Sequence, residues 1–537
     1  MNNETRQPSL LTPLTIIGVA SFLICSLTAD KAYLLMLSAA QLIFVPIMLQ
    51  LVGALHRPQQ IGYAIGLISI PALYIFTDSR LQAGLAFIYL LLTMWVAWIG
   101  IKRFLKRGFV NLEEISIEVG MMYLSVGGMW FFAHVIEFDT GFSPIITWLT
   151  GIHFHYAAFL LPVSAGLLGR MHRSAWYRWV VLILLVNPVL VAIGISGWRL
   201  IEVGSVFLYI VAIFGLIILA FRTTFTSRAQ TVSLRLSYVA LGIAIIFSLL
   251  YASGHAFGWW EITIPFMLAF HGLLNCVFFG GLSIVGWLMH TPASRHREWS
   301  FPVSQIRGRL EAEEKRGIKE GITDDLGQLV DVTRLSATIR HFYEHTGQFR
   351  LFATVKWAYW FLPLAWCFKL FSRRWEQLNL PITRKEVEMT CELRAVDPLI
   401  DGRDHPRAWI RKVNGKTVFT AIYDRHQTGG QAYMNTALPL PYTSMIGILR
   451  LREVNGSLWI TSMTDDDPEH TSQQAAHQGD EGIYLAAGKK VFKLPLSEFF
   501  LIQDAGEHKL TAEHHMRIFG LPFLRIDYRI DRKTLSE

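Results

Sequence analysis

Charge is scarce in the first half of this 537-residue chain: of its 49 basic and 41 acidic residues, 25 fall in residues 1–290 and 65 in residues 291–537. The first half therefore carries about a third of the charge density of a soluble domain, which excludes a single uniform globule, simple secretion and intrinsic disorder. Cysteine is equally sparse. The four thiols, Cys25, Cys276, Cys367 and Cys391, show no paired spacing, so neither a disulfide framework nor a zinc knuckle is indicated. Repeats of fixed period, low-complexity tracts and the nucleotide-loop, G-x-S-x-G and H-E-x-x-H motifs are missing as well. Transport or binding is therefore expected over catalysis. The pI of 9.2 and mean hydropathy of +0.36 average a membrane half with an ordinary soluble half, and imply no nucleic-acid partner.

Long apolar runs take the place of the missing charge. Ten stretches, from 9–29 through 262–289, are long enough to cross ~30 Å of hydrocarbon. The first resembles a signal peptide ending at Thr28-Ala29-Asp30, but a second apolar run follows at once, and it reads as the first span. With the amino terminus inside, twelve basic residues (Arg6, Arg57, Lys102, Arg103, Lys106, Arg107, Arg170, Arg173, Arg178, Arg222, Arg228 and Arg235) lie on the cytoplasmic side and Lys31, Arg80 and Arg199 outside. That bias predicts a multi-pass protein of a bacterial cytoplasmic (inner) membrane with both termini in the cytoplasm.

The expected fold is an α-helical polytopic bundle of about ten transmembrane helices over 1–292, a cytoplasmic helical and interfacial linker over 293–381, and a cytoplasmic antiparallel β barrel or sandwich over 382–537. Charged helical patterns occupy 309–319 and 335–345, and the aromatic-rich segment 351–371 suits a helix lying in the headgroup layer. Beyond Pro381 the pattern turns to period two, with turn signals at Asn414-Gly415, Gly429-Gly430 and Asn455-Gly456. Residues 386–530 read as nine or ten short strands.

Ionisable groups inside spans are costly and call for a functional hypothesis. Here they gather in the outer half: His134 and Glu137 at the end of the fifth span, His153 and His155 in the sixth, Glu202 at the start of the eighth, and His271 with Asn275 in the tenth, with His255 and Glu261 in the loop before it. Rise per residue puts His153 and His271 at equal depth, about 14–15 Å below the outer boundary, which makes them plausible neighbours. His153 and His155, two apart on a helix, point roughly 200° apart and need separate partners. His134 and Glu137 share a face, where a histidine beside a carboxylate binds a cation or relays a proton. Asn187-Pro188 predicts a kink in the seventh span, with Asn187 deeper in the same cavity. Buried polar residues hydrogen-bonded between helices are the plainer alternative for each histidine.

Other features have ordinary explanations. Asn111 with Glu114 reads as a capping box opening the fifth span, His514 and His515 as solvated strand residues facing opposite ways, and Asp465-Asp466-Asp467 as a solvated loop.

Two resemblances follow from these residues. The string Gly151-Ile152-His153-Phe154-His155-Tyr156, with Phe270-His271-Gly272-Leu273-Leu274, resembles the haem-ligand helices of the main subunit of haem-copper oxidases over about twenty residues. The copper-binding histidines of that family have no counterpart, so the resemblance implies at most a bis-histidine haem, with His271 opposite His155, or His153 as a second-level ligand. The wider resemblance is to the YndJ-like family of bacterial membrane proteins. It is carried by Gly151 to Phe159 with Pro162, by His271-Gly272-Leu273-Leu274-Asn275, by Phe342-Tyr343-Glu344-His345-Thr346 and Gln377-Leu378-Asn379-Leu380-Pro381, and by the tail run from Phe519 to Tyr528. It implies the topology and a fused cytoplasmic domain, in a family loosely called transporter-like.

Three functions compete on these grounds. The first is a transporter-like protein whose histidines couple protonation to movement of a small solute or cation. The second is a haem- or metal-binding redox or sensor protein using His153, His155 and His271. The third is a lipid-handling or regulatory assembly in which the β domain binds an amphipathic ligand. The bilayer is the one partner common to all three, and the sequence carries no signal of oligomeric state.

Overall fold

The computed structural model describes residues 12–109, 111–172, 174–258, 260–294, 296, 299–310, 315–463, 479–488 and 490–533. The chain divides into two compact units, Met1–Leu105 with Asn111–His296, and Lys106–Val110 with Arg297–Glu537.

Ten helical passages build the first unit among the described residues: α1 Pro13–Thr28, α2 Leu34–Leu51, α3 in two pieces Arg57–Leu67 and Ser69–Ile75, α4 Ser79–Arg107, α5 Leu112–Val135, α6 Pro144–Met171, α7 Ala175–Ile195, α8 Arg199–Arg222, α9 Arg228–Phe257 and α10 Ile264–Met289. Several starts are set by side chains that accept an orphaned helix N–H: Thr12, Ser174, Ser227 and Thr263. Eight passages, α2 and α4 to α10, are long and apolar enough to cross a membrane. The other two expected crossings are shorter helices. α1 has 16 residues, and α3 breaks at Ile68 because Pro71, lacking an N–H, deprives Leu67 of its helical partner.

Three passages contain π-helix: Ala40–Phe44 in α2, Tyr156–Leu160 in α6, and Met267–Gly272 with Leu274–Gly281 in α10. In α2 and α6 a proline follows within two residues, Pro46 and Pro162, and its missing N–H frees one more carbonyl. The Leu42 carbonyl freed by Pro46 occupies the space that a Cβ would take at Gly18, so α1 passes α2 closely only because that residue is glycine. The π segments converge: that of α10 packs against those of both α2 and α6.

The second unit holds thirteen strands among the described residues: β1 Lys315–Ile318, β2 Phe349–Trp357, β3 Val387–Val396, β4 Arg407–Val413, β5 Lys416–Thr428, β6 Gln431–Leu440, β7 Thr443–Val454, β8 Ser457–Thr461, β9 Gly482–Ala487, β10 Lys490–Lys493, β11 Leu496–Gly506, β12 Lys509–Ile518 and β13 Leu521–Arg532. All pairings are antiparallel. Ten strands close on themselves in the order β7-β6-β5-β4-β3-β2-β13-β12-β11-β8, with β8 pairing back onto β7. Closure removes the exposed edges of an open sheet. The predicted turns stand at Asn414-Gly415, Gly429-Gly430 and Asn455-Gly456, each with both residues at positive φ. β7 changes partner midway: its first half pairs with β9 and its second half with β8.

Two cores flank this wall. Inside the barrel lie Leu351, Leu393, Leu451, Ile460, Ile502 and Ile526, joined by Leu326, Leu335 and the helix α11 Ala337–Glu344. Phe342 of α11 sits edge-on to Phe349 and Trp409, and so plugs the end where β2 begins. Outside, Phe301 and Ile306 cover Ile410, Ile422, Ile446 and Tyr484. A fully buried Asp401–Arg403 ion pair, 2.6 Å, ties down that cover: Asp401 accepts from Ser304, and Arg403 donates to Asn435 and the Ile422 carbonyl.

The structure corrects the expected linker. Residues 349–357 form a strand, not the start of an interfacial helix: Leu351, Ala353 and Val355 point inward while Lys356 reaches Asp527 outside, a period-two pattern hidden by the aromatic content. Helix α12 begins only at Leu362 and runs to Trp375. The helical pattern at 309–319 ends in strand β1, which pairs with β3, and its residues 311–314 lie outside the described residues. Asp465 to Asp467 also lie outside them.

Candidate functional site

The rings of His153 and His271 lie side by side in the first unit, centroids 6.2 Å apart and planes inclined by 31°. Backbone carbonyls fix both tautomers, because a carbonyl only accepts. His153 donates Nδ1–H to Leu149 O at 2.6 Å, and His271 donates Nδ1–H to Ala244 O at 2.9 Å, with Ser248 Oγ 3.3 Å away. Each Nε2 therefore carries a lone pair. On His271 that lone pair accepts from Asn275 Nδ2 at 3.0 Å. On His153 it has no hydrogen-bond partner among the described residues, and the ring keeps accessible surface.

His155 faces the other way, as the two-residue offset requires. It is 1% exposed, and both ring nitrogens are taken: Nδ1–H donates to Gly151 O at 2.8 Å, and Nε2 accepts from the Tyr89 hydroxyl at 2.7 Å. Gly127 makes room for it, since a Cβ there would lie 2.9 Å from Nδ1. His271 thus neighbours His153 and not His155. Tyr156, the first residue of the α6 π segment, reaches across to α2 and α10, donating to Met36 O at 2.8 Å and approaching Cys276 Sγ at 2.9 Å. π-bulges concentrate at functional sites because they re-aim side chains and release backbone groups. Beside them an open, mostly apolar groove of about 610 Å³ runs between α2 and α10 past Tyr33, Met36, Leu268 and Cys276.

The remaining expected residues are placed in separate pairs. His134 donates Nδ1–H to Pro144 O at 3.2 Å, tying the end of α5 to the start of α6. Glu137 is exposed in the following turn at positive φ. Asn187 donates to Ser205 O at 2.8 Å, linking α7 to α8. Glu202 is buried and stands 3.5 Å from His255, which belongs to the last turn of α9 and not to a loop. Among the described residues no group of three or more His, Cys, Asp or Glu is assembled to hold a metal ion.

Sequence reasoning missed a second polar centre. Glu113, Glu114 and Glu118 of α5 are buried together with Arg170 of α6. Arg170 grips Glu114 with two parallel bonds of 2.8 and 3.0 Å and donates its remaining arm to Pro292 O. Arg103 of α4 donates to Val52 O and stands 4.0 Å from both Glu114 and Glu118. Helix α5 does begin at Leu112, but Asn111 makes no side-chain cap bond and the Glu114 carboxylate serves Arg170. The signal was available: Glu114 and Glu118, four apart, share one face of an otherwise apolar span.

The molecule is thus a multi-pass membrane protein with a fused antiparallel β barrel, its bundle carrying one histidine pair and one buried carboxylate–arginine network. The chain belongs to the YndJ-like family. The family's description, YndJ-like protein, matches residues 34–279. The chain is also 35% identical over 466 residues to the uncharacterized membrane protein YndJ of Bacillus subtilis (strain 168), covering 83% of each sequence. No solved structure matches it.

Proposed function

We propose that the bundle is a proton- or cation-coupled transport unit in which His153 and His271 form the exchange site. The observation that carries this reading is the unpartnered Nε2 lone pair of His153, accessible and beside a second imidazole whose own Nε2 accepts from Asn275. A proton or cation arriving at His153 passes to His271 only once the His271 Nε2 parts from Asn275 Nδ2, which stays anchored by its second bond to the His271 carbonyl at 2.9 Å. The buried Glu114–Arg170–Arg103 network supports a second station on the path, since ionisable groups within spans mark ion pathways. The excess of basic residues on one side supports access to the histidines from outside.

Purified protein in liposomes loaded with a pH-sensitive dye tests this reading. Wild-type vesicles are expected to exchange protons faster than empty ones under an imposed gradient. His153→Ala and His271→Ala should each slow that exchange about tenfold, and the double variant should be no worse than either. Wild-type flux equal to empty liposomes, or full flux in both variants, refutes it. The same hydrogen bonds favour one other reading, because metal-bound and haem-bound histidines hold Nδ1–H on a carbonyl and ligate through Nε2. An intense Soret band from purified protein, lost in His271→Ala, decides for that reading.

A further inference from the structure

The two ends of the barrel differ in what they expose. By the antiparallel register β2, β4, β6 and β12 finish, and β3, β5, β7 and β13 start, at the end opposite the α11 plug. Two turns at this end hold an aromatic residue at positive φ: Tyr442 at 60° between β6 and β7, and Phe519 at 50° between β12 and β13. Phe519 takes the place that asparagine takes in the Asn414-Gly415 turn at the same end. Bulky side chains are uncommon in that conformation, because the Cβ crowds its own backbone. Neither ring is repaid by burial, since Tyr442 is 91% and Phe519 67% exposed. The plugged end instead turns at Gly429-Gly430, Asn455-Gly456 and Glu507-His508.

Helix α12 lies at the aromatic end. Trp360, just before it, donates to the Pro522 carbonyl at 3.0 Å, and Phe361 packs on Phe523. Ala365 and Ser372, seven apart and so on one face, are buried. The rest of the helix exposes Leu364, Trp366, Leu370 and Phe371, with Arg373 and Arg374 exposed in the last turn. The neighbouring carboxylate, Glu376, pairs with Arg309 at 3.5 Å, and Arg309 also donates to the Arg374 carbonyl. Arg384 lies over the ring of Tyr359 at 5.0 Å. Aromatic and leucine side chains edged by arginine match the boundary between headgroups and acyl chains, and the clustered arginines select negatively charged lipid.

Chain length brings this end to a bilayer. The segment Lys106–Val110 belongs to the second unit. Within it, Phe109 stands edge-on to Phe519 at 5.5 Å, and Gly108 lies so close to the Lys493 carbonyl that a Cβ would overlap it. Phe109 is three residues before Leu112, where the span α5 begins, and three residues reach at most about 11 Å. We propose that the aromatic end of the barrel docks on the leaflet bordered by the α4–α5 loop. Helix α12 and the Tyr442 and Phe519 turns enter the headgroup layer, and Arg309, Arg373, Arg374 and Arg384 bind anionic phospholipid. The docking does not depend on the transport reading.

Full-length protein in nanodiscs of phosphatidylglycerol or of phosphatidylcholine tests this. Cys367, exposed on α12, is labelled with an environment-sensitive nitrobenzoxadiazole in a Cys391→Ser background. In phosphatidylglycerol, lipid carrying a shallow doxyl group is expected to quench the probe, and aqueous acrylamide to quench it little. Lipid quenching should be about fivefold weaker in phosphatidylcholine, the factor that one basic residue at an anionic surface supplies. It should fall similarly in R373E/R374E and with added salt, which screens surface charge. Hydrogen exchange of the 362–375 peptide in unlabelled protein, expected to be slower in phosphatidylglycerol, holds whether or not the variants fold. Acrylamide quenching without lipid quenching overturns the proposal, as does equal lipid quenching in both lipids. Protection from both quenchers overturns it too, because a protein surface would then cover the helix.

Discussion

A fragment that begins at residue 382 should not fold, whereas one that begins at residue 299 should. The shorter piece contains every strand from β3 onward but lacks β2, which stands between β3 and β13 and pairs with β13 over nine residues. It also loses Phe349, Leu351 and Val355, which are 3%, 4% and 0% exposed. At roughly 1.5–3 kcal/mol for each buried large apolar side chain, these contribute about 5–9 kcal/mol. Leu326, Leu329, Leu335, Ile339 and Phe342, from α11 and the segment before it, enter the same core and add about 8–15 kcal/mol on the same scale. Even reduced by the roughly 10–40% that a compact unfolded chain already buries, the loss reaches the whole of a typical domain stability of about 5–15 kcal/mol. Circular dichroism and thermal melting of the two fragments provide the assay. The longer is expected to show strand-type spectra and a cooperative transition, and the shorter neither. A cooperative melt of 382–537 within a few degrees of the longer fragment would refute the reasoning, because β2 and α11 would then be accessories to the core and not part of it.

Two further outcomes follow from buried charge. Glu114→Gln leaves Arg170 buried without its counter-charge, so the protein in detergent should lose about 3–5 kcal/mol of stability. Adding Arg170→Met should recover part of that loss, and an unchanged melting temperature in Glu114→Gln would exclude the pair as a stabilising contact. In the second unit, burial raises the Glu481 carboxyl above its usual value of 4.5, with Lys493 and Arg452 opposing. A group raised in the folded state contributes stability below its unfolded value and loses it as pH rises through the folded one. Glu481→Gln is therefore expected to raise the melting temperature of the 299–537 fragment at pH 7 and to flatten its decline between pH 5 and 8. An unaltered pH profile would count against that burial cost.

Much of the architecture was legible in the chain because it depends on local composition and period. The charge-poor first half, the apolar stretches and the turns at Asn414-Gly415 and Asn455-Gly456 are properties of neighbouring residues, and the bundle and the antiparallel sheet follow from them. Depth along a helix is also local arithmetic, and it brought His153 and His271 to the same level. The failures share one cause. Whether β2 is strand or helix depended on which partner would bury Leu351, Ala353 and Val355, and that partner, β13, lies at the far end of the sequence.

Side-chain commitments were likewise decided only in three dimensions. Glu114 beside Asn111 reads as a cap until Arg170 of the next helix claims it, and His155 reads as a ligand until Tyr89 and Gly151 occupy both its nitrogens. Period alone placed His514 and His515 on opposite faces, but only closure of the barrel made one of those faces an interior. A sequence determines which residues share a face, because that follows from the geometry of a single element; which faces meet, and which polar atoms are left without partners, is decided by packing between elements distant in the chain.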